Sequence, residues 1–274
     1  RMKNANVGFS PWVYIGLAMT LPFLLSISAI PKDLKATSAF VTDHVNPDKD
    51  RLDSVITLQK FHPWRVDLLE SKAEIYLEMG MFDDAIDSYE RASQKGALSV
   101  NGALTLGTAL LNSLRTEEAI ELWSDYLSQN PSASEIYPNL FEVQIKTGDL
   151  PGAIITLEKW IAVDTNPHLR ILYAEALAII DAERASAIIN NVLEDVSQID
   201  EDWVLQLKAL LDRPYVNNDQ AYQLTLLGQY FASKGSWYLA RYALEQAVAQ
   251  NPEYSEAWAL LGEAREQTGG NGLP

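Results

Sequence analysis

Three stretches of the chain come into register when shifted by 34 residues: LLESKAEIYLEMGMFDDAIDSYERA (68–92), LTLGTALLNSLRTEEAIELWSDYL (104–127) and NLFEVQIKTGDLPGAIITLEKWI (139–161). Each holds two apolar runs at helical spacing, and a small residue opens the second run at Ala85, Ala119 and Ala153. A fixed period of this length restricts the fold severely. One helix–turn–helix unit is too small to bury its own apolar face, so the units must stack on one another. Small residues at Ala73, Gly107, Ala119 and Gly228 let paired helices approach closely, while Leu, Trp and Tyr fill the space between units.

A further unit, AYQLTLLGQYFASKGSWYLARYALEQAVAQNP (221–252), is rich in the same signals: Leu227-Gly228, Phe231, Gly235, Ala240, Ala247 and Pro252. The pattern resembles the tetratricopeptide repeat, whose first helix carries large residues and a Gly or Ala. In that family a Gly marks the turn, an Ala opens the second helix and a Pro ends the unit. AWALLGEAREQTGG (257–270) repeats the first helix alone, as a cap. The resemblance implies an all-α, right-handed solenoid of about five helix pairs plus a capping helix. Working backwards, Pro63 stands 34 residues before Ala97 and 68 before Pro131, so 48–60 is expected as the second helix of an incomplete leading repeat. The middle is irregular. Residues 168–196 form a helix pair with a shortened turn at Asp181-Ala182 and no turn glycine, and 201–219 contribute one helix ended by Pro214. Residues 197–220 are therefore where a bend or a specialised contact is expected.

Ahead of the repeats lies WVYIGLAMTLPFLLSISAI (12–30), inside a stretch from Asn4 to Pro31 without a charge. As a helix it is about 28 Å long, close to the hydrocarbon thickness of a bilayer. It reads as a single-pass membrane anchor. Trp12 and Tyr14 suit the interface, and Leu17, Leu21, Phe23, Leu24, Leu25 and Ile27 suit the apolar span. Pro22 is expected to kink it, and Lys32 and Lys35 close it. Two other readings compete: a signal peptide cleaved near Ser26-Ile27-Ser28, and a buried core helix. Arg1 and Lys3 against Lys32 and Lys35 give only a slight lean towards a solenoid outside a bacterial plasma membrane. The first residue is Arg rather than Met, which leaves open a segment upstream. A membrane helix running into an acidic repeat tail also resembles the C-terminal part of some bacterial glycan polymerases and O-antigen ligases. That resemblance places any catalysis upstream of this chain.

Lys and Arg total 21 against 37 Asp and Glu, a net charge of −16, which disfavours generic binding to nucleic acid or to anionic lipid headgroups. The absence of cysteine excludes thiol chemistry and thiolate metal sites. His44, His62 and His168 lie far apart with no ligand spacing. NPDKDRLDS (46–54) hints at a calcium loop, but Arg51 replaces the glycine at the sixth position and Thr57 the glutamate at the twelfth. No phosphate loop, nucleophile elbow or catalytic carboxylate pair is present, so no enzyme activity, cofactor or metal is expected from these residues.

The resemblance also implies a groove lined by the first helix of each unit. Its positions fall on Asp67, Glu70, Glu74 and Glu78, on Asn101, Leu104, Thr108 and Asn112, and on Glu135, Glu142 and Lys146. In the last units they fall on Tyr222, Thr225 and Gln229. The four acidic residues of the first unit share one helix face, which is either a solvated surface or a groove for a basic or amide-rich segment. Family members that grip a terminal carboxylate use Lys, Arg and Asn there; Glu70 and Glu74 speak against that ligand. The expected organisation is an anchor (1–31), a juxtamembrane helix with the incomplete repeat (32–63), repeats (64–196), the irregular segment (197–220), and a last unit with cap and tail (221–274). The expected function is a non-enzymatic, membrane-anchored scaffold that binds protein subunits of a membrane complex.

Overall fold

The computed structural model describes residues 47–195, 202–212 and 219–269. The chain divides into two compact units, Arg1–Thr57 and Leu58–Pro274. Among the described residues the regular structure is entirely helical, thirteen helices in all. Helix α1 (Pro47–Phe61), whose first residues are all that is described of the first unit, buries none of its side chains. The second unit holds the hairpins α2 (Val66–Glu78) and α3 (Phe82–Lys95), α4 (Val100–Asn112) and α5 (Thr116–Gln129), and α6 (Tyr137–Thr147) and α7 (Leu150–Val163). It continues with α8 (Pro167–Ala178) and α9 (Ala182–Asp195), the single helix α10 (Asp202–Leu211), the hairpin α11 (Gln220–Ser233) and α12 (Trp237–Gln250), and α13 (Ser255–Gln267). Five pairs and a final helix match the repeat expected from the 34-residue register.

The hairpins recur because their turns do. Gly80, Gly148 and Gly235 take left-handed φ values of 74°, 82° and 76°, which cost glycine nothing. The residue after each donates its N–H back across the turn at 2.8 Å: Met81 to Tyr76 O, Asp149 to Gln144 O, Ser236 to Phe231 O. These bonds satisfy carbonyls that the end of a helix leaves orphaned. The α4–α5 turn makes the same bond, Arg115 to Leu110 O, but puts Leu114 in the left-handed position at φ 59°. The α8–α9 turn is shorter. Asp181 bonds to Leu177 O at 2.7 Å with no left-handed residue, as the missing glycine led one to expect.

Small residues sit where helices cross closely. Ala73, Ala85, Ala119, Ala153 and Ala240 are fully buried. A Cβ on Gly107 would lie 2.2 Å from the Trp123 ring, and one on Gly228 would lie 2.5 Å from Leu244 Cγ. Trp123 is itself wholly buried and donates Nε1–H to the Ala103 carbonyl at 2.9 Å.

The core changes character along the chain. Two compact clusters serve α2–α5 (Leu69 to Ala119) and α4–α6 (Ala103 to Val143), each spanning neighbouring hairpins. From Leu150 to Ala264 a single cluster runs on without a break. Helix α8 lies inside it and buries eight side chains, Leu169 and Ile171 among them. Helix α10 packs against α8, α9 and α11 through Val204, Leu207, Leu210 and Leu211. The irregular segment is thus occupied by an inserted helix, and the last unit also reaches α6: α12 touches it, with Arg241 3.5 Å from the Lys146 carbonyl.

No helix among the described residues is long and apolar enough to cross a membrane. The anchor positions Trp12, Tyr14, Leu17, Leu21, Phe23, Leu24, Leu25 and Ile27 lie outside the described residues.

Candidate functional site

The first helices α2, α4 and α6 carry the residues expected to line a groove, and many of them bond to their own neighbours. Asp67 pairs with Arg65, whose Nε donates at 3.0 Å, and this hydrogen bond holds the carboxyl below its ordinary range. Glu70 accepts both the N–H (2.7 Å) and the Oγ–H (2.8 Å) of Ser99. Ser99 is the N-cap of α4, its own Oγ accepting from Gly102 N at 2.9 Å. Glu70 therefore pins the start of one first helix to the flank of the preceding one. Gly102 is tight against it, since a Cβ there would fall 2.4 Å from Glu70 Oε1. Glu74 accepts from Asn101 Nδ2 at 2.9 Å, a second bridge between α2 and α4. Glu78 is the last residue of α2 and is exposed.

The Glu74–Asn101 bridge recurs at the far end of the molecule. Gln229 on α11 donates to Glu256 on α13 at 3.1 Å, the two again standing 27 residues apart. Groove positions in both regions thus help to stack the repeats. Two groove positions depart from the expectation. Thr225 is buried, not groove-lining, and its hydroxyl bonds to the Ala221 carbonyl at 2.7 Å. Leu104 is half-buried against the second cluster. Both sit where a neighbouring unit covers the helix face.

Thr108 and Asn112 on α4, Glu135 just before α6 and Glu142 on α6 are exposed as well. Thr108 bonds back to Leu104 O, and Glu142 pairs with Lys146 one turn on, which raises the lysine pKa. Tyr222 is 38% exposed at the start of α11. Together these offer amide, hydroxyl and carboxylate groups, the chemistry that holds extended backbone or cationic side chains. Among the described residues no group of His, Asp and Glu is placed to hold a metal ion.

Two polar clusters were not foreseen. Glu175 on α8 is only 2% exposed, and accepts from Tyr230 OH on α11 at 2.6 Å and from Nζ of Lys234, the C-cap of α11. The same ammonium lies 3.6 Å over the Trp203 ring of α10, so one lysine ties three helices together. The second cluster borders an open cavity of about 480 Å³ between α7, α8 and α9. There Tyr173 donates to Glu158 and accepts from Arg184 at 3.1 Å; burial, then the Glu158 bond, pushes the phenol pKa up to about 12.

With this geometry in view, comparison with known proteins is informative about the fold. A family model described as tetratricopeptide repeat matches residues 70–133 and 225–270. No curated protein matches the chain in sequence. Similar solved structures include Naa15/Naa10 bound to HypK-THB (18% identity, 84% of this chain and 38% of that one, TM-score 0.52). A tetratricopeptide repeat protein from Parabacteroides merdae aligns over 86% of this chain and 96% of its own (16% identity, TM-score 0.43). YrrB, described as a TPR protein with an unusual peptide-binding site, aligns over 75% and 96% (14% identity, TM-score 0.42). The stacked hairpins define the class: an all-helical solenoid of the tetratricopeptide type. The two stretches that match the tetratricopeptide repeat model lie one on each side of the irregular middle.

Proposed function

We propose that the protein is a non-enzymatic scaffold that binds protein partners and is held at a membrane by residues 12–30, as an assembly factor or accessory subunit of a membrane complex. The observation that carries the binding reading is the set of exposed polar residues on α4, α6 and the loop before α6. Thr108 and Glu142 stand there one 34-residue period apart, with Asn112 and Glu135 exposed beside them in sequence, while Glu70 and Glu74 are engaged in stacking. The ligand best suited to it is a Lys/Arg-bearing or amide-rich segment, which gains charge-assisted hydrogen bonds from a chain of net charge −16. The tether adds effective concentration: a scaffold confined beside membrane partners needs fewer contacts to hold them. The slight excess of reasons for an extracytoplasmic solenoid comes from the charges flanking the apolar stretch.

The test is capture from detergent-solubilised membranes with the full chain and with Glu135→Lys/Glu142→Lys. Both residues are exposed, so the variant keeps its helical content by circular dichroism, and the expected result is loss of a partner with an exposed basic segment. Undiminished capture moves the interface elsewhere. Charge reversal at Glu70 and Glu74 is the wrong experiment, because it strips the Ser99 cap and confuses folding with binding. Carbonate washing of membranes tests the tether separately.

A further inference from the structure

The α6–α7 hairpin breaks the repeat at one core position. The residue whose carbonyl closes the turn is Leu110, Leu177 and Phe231 in three other hairpins, all buried apolar side chains. Here it is Gln144, only 5% exposed. Its Oε1 accepts from the hydroxyl of Thr156 on α7, also buried, at 2.8 Å. Its Nε2 donates to nothing among the described residues. A buried amide with an unmet donor is less stable than the leucine that its counterparts carry, so its presence calls for a use.

Gln144 lines a cavity of about 210 Å³ between α5, α6 and α7, together with Leu127, Leu140, Ile155 and Gly152. A Cβ on Gly152 would lie 2.9 Å from Gln144 Nε2 and 2.1 Å from Asp149 Oδ2. Asp149 caps α7 through its other oxygen, Oδ1, which accepts from Gly152 N at 3.0 Å. An amide donor and a carboxylate acceptor thus border one space, which glycine leaves unfilled. The carboxylate repels an anionic ligand there. A hydroxyl suits both neighbours, accepting from one and donating to the other.

The rest of the cavity is apolar. Ile155, at its edge, is 52% exposed, whereas the residues 34 and 68 positions before it are the exposed acids Glu121 and Asp87. Benzene fills a cavity of about 150 Å³, so this one takes a single ring with a small substituent. Apolar walls with one polar end match tyrosine, whose ring is apolar and whose tip is a hydroxyl.

We propose that this cavity receives a tyrosine side chain of a partner protein, its ring against Leu127, Leu140 and Ile155 and its hydroxyl between Gln144 Nε2 and Asp149 Oδ2. The site depends neither on the tether nor on Glu135 and Glu142.

The chain has no cysteine, so one thiol can be placed at the rim, at Lys159, which is exposed and borders the cavity. The full chain carrying Lys159→Cys, in detergent, is equilibrated in mercaptoethanol with equal amounts of the disulfides of Cys-Gly-Tyr, Cys-Gly-Phe and Cys-Gly-Glu amides. Mass spectrometry is expected to find the tyrosine adduct severalfold above the other two. The preference should vanish when Gln144→Leu is added, and also with Gly152→Ala, whose methyl fills the space beside the amide; circular dichroism checks the fold of both. Leu114→Cys, on the α4–α5 turn, should take all three peptides alike. Equal capture of the tyrosine and phenylalanine peptides at 159 overturns the proposal, as does an excess of the glutamate adduct. So does a tyrosine preference that persists in folded Gln144→Leu or Gly152→Ala, or that appears equally at 114. The comparison at 159 alone uses no core substitution, so it decides the matter whatever the other variants do to folding.

Discussion

The hairpins α2 to α7 and the region from α8 to α13 are built from the same repeat and held together in different ways. In the first, the bonds among its own helices join near neighbours, as in Glu70 to Ser99, Glu74 to Asn101 and Trp123 to Ala103. In the second, Tyr230 reaches back 55 residues to Glu175, and Arg241 lies near a carbonyl 95 residues before it. The cause is the inserted helix α10, which spoils the 34-residue register and encloses α8. The lesson is that a repeat array keeps nearest-neighbour energetics only while its period holds. Once an extra helix intrudes, burial on all sides brings in a buried carboxylate and the ammonium that must neutralise it.

The largest effect should therefore come from the enclosed region. Lys234→Met leaves Glu175 buried with only the Tyr230 hydroxyl for company, and uncompensated buried charge costs about 3–5 kcal/mol. Glu175→Gln keeps an acceptor for Tyr230 and Lys234 and should cost less, about 1–2 kcal/mol. Urea midpoints read the difference, and hydrogen exchange should show α8, α10 and α11 loosening together. If Lys234→Met moved the midpoint no more than Glu175→Gln, the buried pair would not be what distinguishes the two regions.

A smaller effect compares one position in both regions. Gly107→Ala drives a methyl into Trp123, a rigid and wholly buried ring fixed by its bond to Ala103. Overpacking of this kind costs about 1–3 kcal/mol. Gly228→Ala meets Leu244, a branched chain with rotamers to spare, and should cost about 1 kcal/mol less. Trp fluorescence adds a direct readout, since only the change at Gly107 displaces an indole. Equal losses would mean that the two hairpins tolerate crowding alike.

The repeat itself was readable from sequence because packing forces it. Ala85, Ala119 and Ala153 are small for the same steric reason, and glycines at 80, 148 and 235 mark turns that need a left-handed residue. The placement of the first-helix face was also readable, but not what each side chain does there. Spacing puts Glu70 and Glu74 on one face, whereas the bonds to Ser99 and Asn101 depend on the neighbouring helix. Thr225 was misplaced for the same reason: the repeat frame gives a position, and burial depends on what packs over it. Glu175 did leave a trace, a lone carboxylate among apolar residues in LYAEALAII, but nothing local names Lys234 as its partner. The role of α10 was out of reach because a helix outside the period carries no register.

The smallest effect lies within the regular region and has the opposite sign. Leu114 stands midway between Gly80 and Gly148 in the 34-residue frame and takes their left-handed conformation at φ 59°. An L-residue other than glycine pays about 1–2 kcal/mol for that backbone. Its side chain returns little, being 88% exposed. Replacing it with glycine removes the strain and adds about 0.5–1 kcal/mol of unfolded-chain entropy, so Leu114→Gly should stabilise by about 0.5–1 kcal/mol net. For a unit of this size that is a rise of about 1–4 °C in Tm. The mirror experiment is Gly80→Leu, which places the same side chain on the same backbone one repeat earlier and should lose about as much as Leu114→Gly gains. Should Leu114→Gly prove neutral while Gly80→Leu is costly, the α4–α5 turn would owe its leucine to a contact, and the regular repeats would be less alike than their spacing implies.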